Sequence, residues 1–527
     1  MSFQSNAVTN NLPSNVRTLR PEPITPPGGR KNKAPTVEFL FTEAMSECKT
    51  DFRIGVTENI HDTPDTNIYR WMENEVGARW QLTLDAHVRG FIQEWLRMNM
   101  CTDLSREKIG SCLNVWRDQM VHARKTIPPF NEECDVVPLR NAYLLIDKKG
   151  VIRAVHPHPM YGQTFNIQAD LDWERVDENG IYAPAAPKEG SHWHHYLSST
   201  FQDRAVYEIA QEAFSMALLS KCYEKGVIMY GTGSNGKSIM LHVLRSLCPS
   251  ATQTVKLTRL VKNEFGTSSL IAKKIAIVTE MPRVLSSEIQ DILKALISRD
   301  PTPVEFKGGN QFDFIPMAAW FMATNHHCSM PDHEYGWWRK NITLPFLNRI
   351  EKGDRNTDLK NQLIKDPAEM IQIIDWLLIG GARLTARGRF LEDDELPAAI
   401  SDLAHTQRVS SDPVAAWIED AEPKCSAMVW TSKTEIYEHF KAHVEASGRR
   451  PVSAIAFWLR MAEYFRAYGL KTQGEQLTLP GKKRDRYVML AVPDIHPGKF
   501  TVAVPEPPKA GGPIKDDWKE LVGAGTP

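Results

Sequence analysis

The sequence has no apolar run of the roughly 20 residues that a membrane-spanning helix needs. No membrane partner is therefore expected. The first ten residues, MSFQSNAVTN, are polar, so no signal peptide is expected. Eight cysteines are scattered (Cys48, Cys101, Cys112, Cys134, Cys222, Cys248, Cys328, Cys425), and none lies in a C-x-x-C pair. Neither a zinc ribbon nor a disulfide framework is supported, and a reducing cytoplasm is the simplest setting. There is also no excess of one charge. With 63 basic and 64 acidic residues the net charge is −1, so nucleic acid could be held only by local basic surfaces. What remains is an ordinary globular composition, 42% hydrophobic and 24% charged. At 527 residues the chain is too long for one core, and about three or four domains are expected.

One stretch organises the chain: Gly231-Thr232-Gly233-Ser234-Asn235-Gly236-Lys237-Ser238. It fits G-x-x-x-x-G-K-[ST], a phosphate-binding loop. The flanks agree with the string. Gly226–Tyr230 (GVIMY) reads as a buried strand and Lys237–Leu247 as a helix that Pro249 stops. The glycines let backbone N–H groups turn inward around phosphate oxygens, and the helix N-terminus adds positive potential. Gly231, Gly233, Ser234, Asn235 and Gly236 form the cradle. Lys237 is placed to reach the β- and γ-phosphates of ATP, and Ser238 to hold Mg²⁺. An ATPase is expected.

Upstream, residues 1–35 hold six prolines and Arg17, Arg20, Arg30, Lys31 and Lys33 against the single acid Glu22, the composition of a disordered basic arm. Residues 36–200 read as a helical domain with a small β subdomain. Ile68–Asn99 and Ser105–Ile127 carry apolar residues at helical spacing, and their Trp71, Trp80, Trp95 and Trp116 are expected in a core. Asn141–Asp147, a Lys-Lys-Gly turn and Val151–Val155 read as a β-hairpin. His156, His158, His192, His194 and His195 have no neighbouring cysteine or H-E-x-x-H, so they are read as loop and surface residues. Asp203–Cys222 is an amphipathic helix leading into the loop strand.

Downstream, Ile275–Val278 is a buried-strand run followed by Thr279 and Glu280. An ATPase needs a strand beside the phosphate loop that carries a carboxylate to deprotonate water, and Glu280 is the expected base. Thr279 stands where many such enzymes have an Asp for Mg²⁺, so metal contact there is expected to be weaker or through water, and Ser238 and Glu280 are the expected metal contacts. Ser287–Ser298 reads as a helix, and residues 304–314 as a hairpin around Gly308-Gly309-Asn310 with Lys307 beside the tip. Ala319–Ala323 is another buried strand, ending in Thr324-Asn325, and Asn325 fits a sensor of the γ-phosphate or the water. Arg339, before the strand Ile342–Phe346, fits an arginine finger acting on a neighbouring subunit's ATP.

Taken in order, the loop G-x-G-x-N-G-K-S, the Glu280 strand, the hairpin, Thr324-Asn325 and the run from Arg339 to Pro345-Phe346 resemble superfamily 3 helicases, which are AAA+ ATPases. The phage, plasmid and poxvirus primase–helicase branch is the most similar. The resemblance implies a homo-oligomeric ring, usually a hexamer, with ATP between subunits. It implies 3′-to-5′ movement on single-stranded and forked DNA in replication, in a bacterial host cell, with Lys307 as the pore contact. Relatives often carry a primase domain, but only about 100 residues precede the matching region, too few for that fold. A separate primase or polymerase is the expected partner.

The fold class expected is multidomain α/β: an AAA+ P-loop core over 201–404, a helical N-terminal domain, and a C-terminal winged-helix domain over 405–495. Two helices (Thr431–Ser447, Val452–Tyr468) precede strands around the basic loop Lys482-Lys483-Arg484. Eleven basic against six acidic residues across 430–492 favour DNA contact there, with protein docking the other reading. Residues 496–527 read as a flexible tail or a partner-binding peptide. Two further readings compete with a helicase: an AAA+ initiator or loader without processive unwinding, and an origin-binding protein with ATP as a structural ligand. Should Lys307 not grip DNA, Arg283 and Arg299 are the next candidates.

Overall fold

The computed structural model describes residues 35–47, 51–55, 67–128, 134–262, 266–304, 312–328, 330, 335–349, 356–425, 429–447, 451–467, 475–477 and 484–496. The chain divides into two compact units, one built mainly on residues before Leu391 and one mainly on those after Phe390. The arm 1–34 and the tail 497–527 lie outside the described residues, as do the Gly-Gly-Asn turn with Lys307, and Lys482 and Lys483.

The first unit begins with helices α1 (Val37–Ser46), α2 (Asp85–Met98) and α3 (Arg106–His122) around an aromatic core. Phe41 meets Trp95 and Trp116 edge-on at 5.2 and 5.6 Å, and Phe52 meets Trp116 at 5.2 Å. Thr36 and Ser105 cap α1 and α3 through their hydroxyls. The single helix expected over Ile68–Asn99 is not there. Only its second half is α2, and the first half forms strands β2 (Ile68–Met72) and β3 (Arg79–Leu82), joined to β1 (Phe52–Ile54) in an antiparallel sheet. The reason is local. Trp71 pairs with Trp80 across the hairpin, and Gly77, at φ 116°, turns the chain between them. Trp80, Trp95 and Trp116 are buried, as expected of core residues.

The hairpin read at 141–155 is present as β5 (Tyr143–Asp147) and β6 (Ile152–Val155), with β4 (Cys134–Pro138) added on the other edge. Asp147 closes the turn by accepting from the amides of Lys149 (2.8 Å) and Val151 (3.0 Å). Helices α4 (His192–Thr200) and α5 (Arg204–Ser215) follow. His192, His194 and His195 thus stand on a helix, not in a loop, while His156 and His158 are exposed outside regular elements.

The centre of the unit is a five-stranded, all-parallel sheet. Its strands are β7 (Gly226–Tyr230), β8 (Thr252–Thr254), β9 (Ile275–Val278), β12 (Ala319–Thr324) and β13 (Asn341–Pro345), in the order β13-β7-β12-β9-β8. Helices α6 (Lys237–Leu247), α7 (Leu257–Lys262) and α8 (Ser287–Ser298) connect them. The inner strands β7, β12 and β9 read as near-continuous apolar runs because the middle of a parallel sheet is covered on both faces. One expectation changes. The strand before Glu280 is not the neighbour of the loop strand; β12 lies between them. Ahead of β12, β10 (Thr302–Val304) and β11 (Phe312–Phe314) pair antiparallel, as the arms of the expected hairpin should. Short α9 (Tyr335–Arg339) precedes β13, and α10 (Leu359–Lys365) and α11 (Pro367–Arg387) close the unit.

The second unit has its own core of Trp417, Ile436, Phe440, Phe457, Met461, Val488 and Leu490. Helix α12 (Ala398–Ser411) comes first, and α13 (Pro413–Ala421), α14 (Lys433–Ala446) and α15 (Ala454–Ala467) supply most of that core. A two-stranded sheet joins β14 (Lys424–Cys425) to β18 (Leu490–Ala491). A three-stranded sheet sets β17 (Asp485–Val488) between β15 (Thr431–Ser432) and β16 (Glu475–Leu477). The succession of two helices and an antiparallel pair is the one read from the sequence. No helix among the described residues is long and apolar enough to cross a membrane.

Candidate functional site

Register in the parallel sheet decides which residues meet. Tyr230, the last residue of β7, lies opposite Thr324 of β12, and Met322 lies opposite Val278 of β9. Two residues past Val278, Glu280 is level with Thr324, and Met281 N–H donates to the Ala323 carbonyl at 2.8 Å. Strands in a sheet are about 4.8 Å apart, so Glu280 stands roughly 10 Å across the sheet edge from the start of the loop. Asn325 follows Thr324, whose carbonyl accepts from Gly231 N–H at 3.2 Å. The Thr324 hydroxyl donates to the His326 carbonyl (2.7 Å) and accepts from His326 N–H (3.2 Å), a tight turn with Asn325 exposed at its crest. Loop, acid and amide therefore share one edge of the sheet.

The loop itself is shaped by three left-handed residues: Gly233 (φ 113°), Ser234 (φ 54°) and Gly236 (φ 85°). Successive residues of this kind turn amides toward one concavity, the geometry that receives an anion. Ser234 holds this conformation although it has a Cβ, a local cost that persists only where the surroundings impose it. Two glycines are required by space as well. A Cβ on Gly236 would lie 2.9 Å from Tyr196 Cε2, and one on Gly231 would lie 2.1 Å from the Phe346 carbonyl oxygen.

Lys237 is buried, and its ammonium donates to the Gly231 carbonyl at 2.5 Å and to Asn235 Oδ1 at 2.8 Å. Burial lowers its pKa. The side-chain amide of Asn235 donates in turn to the carbonyl of Phe346, just past β13. Ser238 is exposed in the first turn of α6 and Glu280 is exposed past β9. A hydroxyl and a carboxylate are the hard oxygen donors that suit Mg²⁺ retaining several waters. The donor set and the turned-in amides fit a magnesium–triphosphate ligand.

Three anchors of this loop went unread in the sequence. Tyr196 of α4 donates its hydroxyl to the Gly236 carbonyl at 3.1 Å. The Phe346 N–H donates to the Tyr230 carbonyl at 2.7 Å, so the end of β13 fixes both ends of the loop. Asn348 donates to the carbonyls of Ser199 (3.2 Å) and Thr200 (3.1 Å), tying the same segment to α4. Nothing in their spacing links them to a loop far away in sequence.

Arg339 is not brought to this edge. It ends α9, just before Asn341, which pairs with Gly226 at the opposite end of the ladder, while Pro345 pairs with Tyr230. That places it about 16 Å from its own loop along the strand direction. Its side chain is exposed. Arg299, an alternative DNA contact, donates to the Ser220 (2.6 Å) and Met317 (3.3 Å) carbonyls and so supports the main chain instead. Arg484 is exposed just before β17 in the second unit.

A family of unknown function, DUF5906, matches residues 229–340, which run from the end of β7 through α9. Among solved structures the chain is similar to the A-form apo structure of the NrS-1 C-terminal region, with TM-score 0.39 and 10% identity, covering 69% of this chain and 95% of that one. A second apo structure of that region (305–718) gives TM-score 0.38 at the same identity and coverage. At these scores the likeness carries no conclusion about chemistry. A search of curated proteins finds no match.

Proposed function

We propose that this chain is an ATP hydrolase with an AAA+ core of the superfamily 3 type, working as a ring-shaped helicase that moves 3′-to-5′ on single-stranded DNA. One observation carries the reading: the phosphate-type loop with buried Lys237, the exposed carboxylate of Glu280 and the exposed amide of Asn325 share one edge of a parallel sheet.

In this reading Lys237 leaves the Gly231 carbonyl, still positioned by Asn235, to neutralise the β- and γ-phosphates, and the loop amides hold their oxygens. Mg²⁺ would be held by Ser238, with Glu280 acting through water, and supplies charge neutralisation when bound. Glu280 accepts the proton of the attacking water, and Asn325 orients that water or the γ-phosphate. Arg339, at the far end of its own sheet, serves a neighbouring copy's nucleotide, which gives the ring a catalytic purpose. The second unit adds a winged-helix fold whose Lys482, Lys483 and Arg484 contact DNA phosphates.

The test is ATP hydrolysis with and without single-stranded DNA, together with displacement of a strand from forks carrying a 3′ or a 5′ tail. The wild type should hydrolyse ATP and open only the fork with a 3′ loading strand. Lys237→Ala should lose hydrolysis. Glu280→Gln should still bind ATP but not turn it over. Undiminished turnover in Glu280→Gln would remove the assigned base. ATPase activity without strand displacement would leave a loader or initiator.

A further inference from the structure

Among the described side chains of helix α15, the most exposed apolar ones have the wrong chemistry for reading bases. Its inner positions Phe457 and Met461 are fully buried in the core of the second unit. Its outer positions are Ile455, 77% exposed, and Leu459, 65% exposed, one turn apart on the same face. Trp458 lies half-buried beside them, with Lys433 Nζ 4.5 Å from its ring centre. Base edges are read by side chains that donate and accept hydrogen bonds, and neither of these two can. The rim is basic. Arg486 is exposed and close enough to Lys433 to add to the lowering of its pKa, which burial mainly causes. The face is thus two aliphatic side chains and an indole edged by cations.

The sequence contains a segment of matching chemistry. In Pro513-Ile514-Lys515-Asp516-Asp517-Trp518-Lys519-Glu520-Leu521-Val522-Gly523, the apolar residues Ile514, Trp518, Leu521 and Val522 recur at helical spacing. Asp516, Asp517 and Glu520 outnumber Lys515 and Lys519. Proline before and glycine after are the boundary residues of a helix. A helix this short is marginal alone in water, so it gains order only by burying its apolar stripe. The last described residue of the second unit is His496. The intervening residues 497–513 span up to about 55 Å when extended. A unit of this size is roughly 30 Å across, so the segment reaches any face of it. Tethering then raises its local concentration to the millimolar range.

We propose that residues 514–522 of this chain dock as an amphipathic helix on the Ile455–Trp458–Leu459 face of α15, their acids toward Lys433 and Arg486. The segment is a built-in occupant of the face, and a partner protein that wants this surface must displace it. The proposal does not depend on the nucleotide chemistry of the first unit.

Hydrogen–deuterium exchange of the full chain tests it. In the wild type the amides of 513–523 should exchange at least about tenfold slower than their free-peptide rate. Leu459→Asp and, separately, Trp518→Ala should abolish that protection, while amides of α14 and the buried turns of α15 stay protected, which shows that the unit is folded. A synthetic peptide of residues 512–523 should compete and free the tail. Protection that grows with protein concentration would place the segment on a neighbouring copy's α15, the same pairing made between chains. Free-peptide exchange of 513–523 in the wild type overturns the proposal and leaves the face to another protein. Protection that survives Leu459→Asp overturns it as well.

Discussion

Asn235 accepts a hydrogen bond from the Lys237 ammonium at 2.8 Å while its own amide group donates to the Phe346 carbonyl. One buried side chain therefore holds both the loop cation and the end of the edge strand β13. Asn235→Ala removes both bonds and leaves a buried carbonyl without its donor, at a cost of about 1–3 kcal/mol. The expected outcome is a roughly tenfold weaker nucleotide affinity together with a lower melting temperature. Nucleotide titration and thermal unfolding check it. Unchanged affinity would mean that the lysine finds its place without Asn235.

Arg339 stands at the end of the sheet opposite its own loop. The Arg339→Ala protein should be inactive alone yet bind ATP normally. Mixed with the Lys237→Ala protein, it should recover part of the hydrolysis at interfaces that pair an intact loop with an intact arginine. No recovery in mixtures shown to co-assemble would count against action between subunits.

Lys307 lies outside the described residues, in the segment of sequence between the paired arms β10 and β11. Lys307→Ala should leave assembly and basal hydrolysis nearly intact and abolish unwinding. Its affinity for single strands should depend less steeply on salt, since each lost phosphate contact removes roughly 0.7 from the logarithmic slope. An unchanged slope with normal unwinding would show an idle tip.

Lys274, just before β9, is fully buried, and its ammonium donates to the Leu219 carbonyl. Burial, aided by Arg299, pushes its pKa down from the ordinary 10.5 to about 7. Between those values the unfolded chain binds a proton that the folded chain does not, so this group makes stability rise with pH. Lys274→Met removes that contribution. Urea midpoints at pH 7, 8.5 and 10 should therefore show the wild type losing stability relative to the variant as pH falls. The total change should be on the order of a few kcal/mol. Parallel pH profiles of the two proteins would show that Lys274 keeps an ordinary pKa.

Local signals determined much of this protein. The bounds of β7, α6 and α8 were legible because strand and helix periods and their stop residues act over a few positions. The second arm of the hairpin read over 304–314 was legible for the same reason, while the first arm lies at Thr302–Val304, reaching two residues earlier than the alternation indicated. Helical spacing misled at Ile68–Leu82, where a tryptophan pair across a hairpin outweighed the local pattern. The tertiary structure alone decided that β12 separates the loop strand from the Glu280 strand, because strand order arises from crossovers and not from any strand's own residues. It alone placed Arg339 away from its own loop, and it alone recruited Tyr196, Phe346 and Asn348 as anchors. A hydrogen bond across the fold needs only a nearby donor and acceptor, and chain segments far apart in sequence come close only when the sheet is assembled.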